Sequence, residues 1–490
     1  MVDPTESPKP QPETPKEEQI STQHVLQGNG EALAYTAVAG TMVLKAEDGT
    51  IPKASVFFVA YTRDGVEDPS KRPITFSFNG GPGSSSIWMH LGLLGPRRVH
   101  LAEDGGPVPP PYQLVDNTFS LLGETDLVFI DPVSTGYSRP TPGEEAKQFH
   151  GLEQDAEWMG EFIRLFTTRF QRWSSPKFLI GESYGTTRAA ALAGTLQNRH
   201  SLYLNGIMLI STVLNFQSVS FHTGNDLPYI LFLPTYTATA WYHGCLPEAL
   251  QNRPLRDLLD EVELFARTEY TLALMQGARL PAGEQAALAR RLADYTGLSE
   301  DYISQTNLRI NIYRFVKELL RRERRTVGRL DSRFKGVDRD AAGEHFEYDP
   351  SYAVIQGAYA ATLNDYVRRE LQFTSDLPYE VLTSLHKTWD YSNFQNQYVN
   401  VAETLRAAMC QNPYLKIFIA NGYYDFATPY FATEYTFNHL ELDAELQGNV
   451  SMNYYEAGHM MYVNRPSLVQ LQADLAAFIQ RSKGAPESGA

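Results

Sequence analysis

A serine stands between two glycines in the segment Gly181-Glu-Ser-Tyr-Gly185. The segment follows an apolar run at residues 177–180 and precedes an alanine-rich run at residues 189–196. Strand, tight turn and helix in this order are typical of a nucleophile elbow, in which the glycines allow close backbone approach and the turn exposes the serine hydroxyl. An ordinary glycine-rich turn is the alternative. The pattern predicts that Ser183 is the nucleophile of an acyl-transfer reaction.

A serine hydroxyl is a weak nucleophile and needs a general base, which in turn needs an orienting acid. Asp425 comes shortly after an apolar run at residues 415–420, and His459 comes shortly after a run at residues 450–455. We therefore predict Asp425 as the acid and His459 as the base. The chain order Ser, Asp, His is that of the α/β-hydrolase fold. His439 is a rival base, but its surroundings indicate a helix rather than a loop at a strand end.

A glycine-rich segment, Asn79-Gly-Gly-Pro-Gly83, follows an apolar run at residues 74–78. Acyl transfer needs fixed hydrogen-bond donors where the oxyanion develops. We predict the backbone N–H groups of Gly81 and Tyr184 as these donors. A simple tight turn is the alternative interpretation of the glycines.

The pattern of apolar runs predicts an α/β-hydrolase fold, with a mostly parallel sheet, helices on both faces and an inserted helical cap. Short alternating runs at residues 34–62 indicate a β-meander. We expect a disordered Pro-rich tail at residues 1–24, a first part of the core at 25–216, the cap at 217–395, a second part of the core at 396–484 and a flexible tail at 485–490.

The chain has 490 residues and a formal net charge of −15, which disfavours binding to nucleic acid. Two cysteines and 11 histidines without metal-ligand spacing predict no metal site, and no cofactor is expected. No apolar run is long enough to cross a membrane. Without a visible signal peptide we expect a cytoplasmic protein, or a periplasmic or secreted one if a signal was removed. The oligomeric state is open, with a homodimer as one possibility.

Several further motifs accompany the elbow: Leu94-Gly-Pro96, Asp131-Pro-Val-Ser-Thr-Gly-Tyr-Ser138, Gly422-Tyr-Tyr-Asp425 and Gly458-His459. Together with the segments at 79–86 and 181–185, they resemble the serine carboxypeptidase family, peptidase family S10. The resemblance implies release of C-terminal residues from peptides with a free C-terminus through an acyl-enzyme. It also implies that Asn79 and Glu182 bind the terminal carboxylate of the substrate, with Glu182 protonated.

Three positions depart from the family pattern. Phe78 stands where the family commonly has Trp, and Ser84 stands where it has Cys, which suggests a lineage without the family disulfides, of a bacterial type. Leu93 stands where well-known members have a second Glu that shares a proton with the elbow Glu. Leu93 therefore keeps an esterase or acyltransferase on the same scaffold open as an alternative. A non-catalytic binding protein with a decayed hydrolase fold is a third hypothesis, which the presence of Ser183, Asp425 and His459 disfavours.

Overall fold

One sheet dominates the part of the chain that the computed structural model describes, residues 15–27 and 32–484. The strands are β1 (Gln19–Gln27), β2 (Ala32–Lys45), β3 (Pro52–Arg63), β4 (Ile74–Phe78), β5 (Arg97–Val99), β6 (Leu114–Asp116), β7 (Asp126–Ile130), β8 (Arg139–Pro140), β9 (Lys177–Ser183), β10 (Gly206–Thr212), β11 (Thr326–Val327), β12 (Lys335–Gly336), β13 (Lys416–Gly422) and β14 (Val450–Tyr455). The strand order of the large sheet is β1-β2-β3-β7-β4-β9-β10-β13-β14, and β8 pairs with β3. Two short ladders, β5-β6 and β11-β12, lie apart from it.

Strands β7, β4, β9, β10, β13 and β14 are parallel, whereas β1, β2 and β3 form an antiparallel meander that joins β7. The parallel strands are apolar on both faces, since helices cover both sides. The carboxyl ends of parallel strands meet at one edge of a sheet. The loops after β4, β9, β13 and β14, which carry the predicted site residues, therefore lie at the same edge.

Fifteen helices are assigned in the described residues. They are α1 (Ile87–Met89), α2 (Leu152–Arg169), α3 (Tyr184–His200), α4 (Leu227–Tyr242), α5 (Glu248–Gln251), α6 (Leu255–Phe265), α7 (Thr271–Gln276), α8 (Ala282–Thr296), α9 (Glu300–Gln305), α10 (Ile312–Glu318), α11 (Pro350–Arg369), α12 (Ala402–Gln411), α13 (Tyr430–Asn438), α14 (Ala444–Gln447) and α15 (Arg465–Ser482). No helix among them is long and apolar enough to cross a membrane.

The helices form three apolar clusters. Helices α2, α3 and α12 pack on one face of the sheet, and α11 and α15 pack on the other. Helices α4, α6, α8 and α10 form a third cluster that also buries Tyr424 and Phe426, the neighbours of Asp425. Residues 217–395, predicted as a helical cap, contain helices α4 to α11 and the short ladder β11-β12, and α11 belongs to the sheet layers. Helical periodicity alone does not tell which layer receives a helix.

The predicted disorder of residues 1–24 is wrong for residues 19–24. These residues belong to β1, which pairs with β2 in a register that places Ile20 opposite Ala39 and Leu26 opposite Leu33. The Pro-rich composition ends at Pro15, so every later backbone N–H up to Gln27 is available to a ladder. The predicted tails at residues 1–14 and 485–490 lie outside the described residues.

Candidate active site

Ser183 lies at the sharp turn between β9 and α3. Its backbone adopts φ 61° and ψ −130°, a region that costs a non-glycine residue about 1–3 kcal/mol. The flanking glycines are required by close approach: a Cβ on Gly181 would lie 2.1 Å from the Gly185 oxygen, and one on Gly185 would lie 2.8 Å from the Phe78 oxygen. The tight turn therefore presents the serine side chain at the sheet edge, in the geometry that the elbow pattern predicts.

Asp425 and His459 form the hydrogen bond expected of an acid and a base, with 2.7 Å between His459 Nδ1 and Asp425 Oδ2. Asp425 is fully buried and also accepts hydrogen bonds from the backbone N–H groups of Ala427 and Thr428 and from the Thr428 hydroxyl. Burial opposes protonation of His459, but the charge of Asp425 and this hydrogen bond outweigh it and raise the His459 pKa. The pair can hold a proton that Ser183 gives up.

The backbone of His459 is fixed from two sides. Its N–H donates to the Leu330 carbonyl at 2.6 Å, and its carbonyl accepts from Ser211 Oγ at 2.6 Å. His459 and Ser183 line the same cavity, while within the described residues no hydrogen bond joins their side chains. Catalytic hydrogen bonds are often long in structures without substrate and tighten in the complex. The rival base, His439, is exposed at the end of α13 and bonds to the Tyr435 carbonyl, away from this cavity.

The glycine-rich loop after β4 lies against the elbow. A Cβ on Gly80 would lie 2.5 Å from the Tyr184 nitrogen, so the two predicted donor segments are in direct backbone contact. Gly81 has a φ of 108°, which favours glycine, and both Gly81 and Tyr184 line the cavity. Arg188 holds this loop from below, with Nη1 donating to the Asn79 carbonyl at 2.6 Å. The arrangement brings together both N–H groups predicted to bind an oxyanion.

Glu182 directly precedes the predicted nucleophile, lines the same cavity and is 3% exposed. Asn79 Nδ2 donates to its Oε1 at 2.9 Å, and the Tyr462 hydroxyl donates to its Oε2. Burial raises the pKa of Glu182 to about 7, although His459 and the two hydrogen bonds oppose the rise. Leu93, at the position of the family's second Glu, is buried in the sheet core. Burial therefore supplies the raised pKa without a second carboxyl group.

A cavity of about 800 Å³ joins these groups. Its floor is formed by Asn79, Gly81, Glu182, Ser183 and His459. The rest of its wall includes aromatic and aliphatic side chains and one arginine: Trp88, Phe216, Val219, Tyr313, Phe346, Tyr352, Ile355, Tyr391 and Arg329. This volume is in the range of sites that enclose small ligands. The described residues contain no group of three or more His, Cys, Asp or Glu side chains that could hold a metal ion.

Four residues of the site were not predicted from the sequence. The hydroxyl groups of Tyr462, Thr428 and Ser211 donate to Glu182, Asp425 and the His459 carbonyl respectively. The fourth residue, Arg329, lies in the cavity wall. Tyr462 is three residues from His459 and Thr428 is three residues from Asp425, so their proximity to the site could have been inferred. Ser211 and Arg329 are placed by contacts between segments far apart in the chain.

The model of the serine carboxypeptidase family matches residues 44–471. The chain belongs to the serine carboxypeptidase family. It is similar to "serine carboxypeptidase-like 36" of Arabidopsis thaliana. The two are 29% identical over 167 residues, which are 33% of this chain and 33% of the relative. A "carboxypeptidase Y homolog" of Arthroderma benhamiae is 33% identical over 163 residues, 32% of this chain and 29% of the relative.

These matched segments span about a third of the length of the curated relatives. Among solved structures, Kex1Δp of Saccharomyces cerevisiae, a prohormone-processing carboxypeptidase, has a TM-score of 0.57 at 17% identity, covering 91% of each chain. That similarity confirms the predicted α/β-hydrolase fold. The serine carboxypeptidase family resemblance predicted from the motifs is confirmed as well, whereas a bacterial type stays a prediction because the reported relatives are from a plant and a fungus.

Proposed function

We propose that this serine carboxypeptidase family member releases C-terminal residues from peptides that have a free C-terminus. The observation that carries the proposal is Glu182, a buried carboxyl group with a pKa of about 7 beside the serine nucleophile. A protonated carboxyl group can donate a hydrogen bond to the terminal carboxylate of a peptide, and Asn79 adds an amide donor. The reaction of a general esterase does not require a carboxyl group that binds a terminal carboxylate, and burying a carboxyl group without a ligand costs stability.

The geometry supports a two-step reaction. His459 takes the proton of Ser183 Oγ as the oxygen attacks the scissile carbonyl carbon, and Asp425 stabilises the resulting imidazolium. The N–H groups of Gly81 and Tyr184 bind the oxyanion. His459 then gives the proton to the leaving amine, so that the C-terminal residue departs and an acyl-enzyme remains. Water, activated by the same histidine, hydrolyses the ester and restores Ser183.

Two charge states must coexist for turnover. His459 must be neutral to accept the proton of Ser183, whereas Glu182 must be protonated to bind the terminal carboxylate. Both pKa values are raised, that of Glu182 to about 7. Activity on a free-acid peptide therefore falls as the pH rises through about 7, when Glu182 loses its proton, and falls as the pH drops through the raised His459 pKa, when His459 gains one.

The partner in this account is a peptide with a free C-terminus, and the reaction needs no cofactor. The similarity to the family does not support the cytoplasmic expectation and allows an exported enzyme, so the compartment stays a prediction. The assignment of Ser183, Asp425 and His459 as the catalytic residues, and of the donors and carboxylate-binding groups around them, is part of the proposal.

The test uses an N-blocked dipeptide and its C-terminal amide, with release of the last residue as the measured product. The unmodified protein should cleave the free acid at least about tenfold faster than the amide at pH 6, since a hydrogen bond to a charged group contributes about 1.5–3 kcal/mol. Ser183→Ala should lower the rate by about 10³-fold or more. Ser392→Ala, a change at an exposed serine, is the matched control. Equal rates on acid and amide would contradict the proposal.

A further inference from the structure

Arg329 is a cation without a partner in the wall of the catalytic cavity. Its Nε is buried and has no hydrogen-bond partner, and among residues 15–27 and 32–484 its guanidinium forms no ion pair. Other arginines of the same region are paired: Arg333 with Asp331 at 2.6 Å, and Arg309 with Asp226 at 2.6 Å. A partly buried guanidinium without an acceptor is costly, so one that is unpaired in the wall of a cavity is available to bind an anionic group that enters it.

The backbone of Arg329 is held firmly beside the proposed base. Its N–H and that of Leu330 donate to the two carboxylate oxygens of Asp349, at 3.1 and 3.2 Å. Its carbonyl accepts from the Phe426 N–H, and the Leu330 carbonyl accepts from the His459 N–H. The positive charge is close enough to act on His459, where it opposes protonation. Arg329 is thus fixed near the reacting atoms rather than at a mobile rim.

No carboxyl group among the described residues lies within ion-pair distance of this guanidinium. Asp349 binds the backbone N–H groups of Arg329 and Leu330, and the N–H and hydroxyl of Ser351, rather than the Arg329 side chain. Glu182 is buried with Asn79 and Tyr462 and is protonated below about pH 7. Nearby wall side chains such as Tyr313 and Phe346 supply little competing charge. A guanidinium in such a wall binds a planar carboxylate well, through two parallel hydrogen bonds.

We propose that Arg329 is a specificity-determining residue that binds the side-chain carboxylate of an Asp or Glu next to the scissile bond of the peptide. This inference rests on the proposed carboxypeptidase function. In that function the terminal carboxylate belongs to Asn79 and Glu182, so the anion left for Arg329 is a substrate side chain. The acidic residue is either the one released or the one before it, and the two positions are separate arms of the test.

The experiment compares four N-blocked dipeptides with free C-termini at pH 6, where the side chain of Glu is ionised. One pair has Glu or Gln as the released residue after Ala, and the other has Glu or Gln before a released Ala. The unmodified enzyme should show a Glu-over-Gln ratio of kcat/KM of about tenfold or more in one pair. Arg329→Gln should bring that ratio to about one, Arg329→Lys should keep most of it, and Arg329→Glu should invert it.

Arg325→Gln is the matched control, because Arg325 is an exposed arginine of the same segment outside the cavity wall, and it should keep the native ratio. A ratio near one in both pairs for the unmodified enzyme, or a ratio that survives Arg329→Gln, would overturn the assignment of Arg329. Failure to cleave any of the four peptides would instead contradict the proposed function. If Arg329→Gln does not fold, Arg329→Glu decides the matter, because an inverted ratio supports the assignment and an unchanged ratio overturns it.

Discussion

Two carboxyl groups are buried on either side of Asn79, and they differ in what they face. Asp155 lies 2.7 Å from the Nε of Arg188, a fully buried guanidinium that also binds the Asn79 carbonyl. Glu182 has no cation within ion-pair distance among the described residues and accepts hydrogen bonds from the side chains of Asn79 and Tyr462. Both carboxyl groups are almost completely buried.

Burial raises the pKa of both groups, but the consequences differ. At Asp155 the charge of Arg188 opposes the rise, so the carboxylate and the guanidinium can remain an ion pair that supports the oxyanion loop. At Glu182 the opposing effects are weaker and the pKa reaches about 7. Similar burial therefore leaves a carboxyl group in an ion pair where a cation is present, at Asp155, and raises its pKa to about 7 where only neutral donors are present, at Glu182.

The largest effect is expected from removing the charge of Asp155. Asp155→Asn leaves Arg188 buried without its counter-ion, which typically costs about 3–5 kcal/mol of unfolding free energy. Because the Asp155 pKa is raised, the loss should be no larger at pH 8.5 than at pH 5, and activity should fall because the Asn79 loop loses its support. Urea unfolding at the two pH values measures this.

Glu403→Gln is the control for Asp155→Asn, since it removes a carboxylate from an exposed ion pair with Arg406. Its effect should stay within about 0.5 kcal/mol. A loss below about 1 kcal/mol for Asp155→Asn would show that the buried pair contributes no more than a surface pair. That result would contradict a structural role for the Asp155–Arg188 ion pair.

A smaller, pH-dependent effect is expected from Glu182→Gln. The folded-state pKa of Glu182 is raised from 4.5 to about 7, so its contribution to stability is fully present below pH 4.5 and is lost as the pH rises through about 7. The native protein should therefore lose roughly 3 kcal/mol over this interval through Glu182. The Gln variant cannot titrate and should become the more stable of the two at pH 8.5, as unfolding curves at pH 4.5 and 8.5 will measure. A stability difference that does not change with pH would be inconsistent with a titrating Glu182.

The smallest effect is expected from Tyr462→Phe. The Tyr462 hydroxyl donates to Glu182 and favours the ionised carboxylate, so its removal should raise the Glu182 pKa further, by roughly one unit, and shift the alkaline fall of activity to higher pH. Tyr455→Phe is the matched control, because Tyr455 donates to Asp474 at 2.7 Å, a carboxylate outside the cavity wall. A pH profile that shifts equally in both variants would assign the change to lost packing rather than to Glu182.

The sheet edge could be predicted from sequence because its signals are local. Apolar runs marked the parallel strands, and the residues proposed to carry the chemistry, Ser183, Asp425 and His459, come just after those runs. The oxyanion loop could be predicted for the same reason, since its glycines follow a strand directly.

The wall of the cavity could not be predicted in this way. Arg329 reaches the site through the hydrogen bonds of Asp349 and the contact of Leu330 with His459, which join segments up to 129 positions apart. Strand β1 was not predicted because pairing with β2, rather than the composition of its own residues, makes this segment a strand. The raised pKa of Glu182 follows from its burial beside Tyr462 and the sheet core. From the sequence, Leu93 indicated only that the family's second Glu is absent, and not that burial raises the Glu182 pKa in its place.

Binding of the terminal carboxylate by protonated Glu182 is tested most sharply by the ratio of kcat/KM for a free-acid dipeptide to that for its amide, followed from pH 5 to pH 9. Ionisation of His459 affects both substrates alike and cancels in the ratio. The account predicts a ratio that falls about tenfold per pH unit above about pH 7 in the unmodified enzyme, and a smaller, pH-independent ratio in Glu182→Gln. A flat ratio in the unmodified enzyme, or a falling ratio that survives Glu182→Gln, would contradict it.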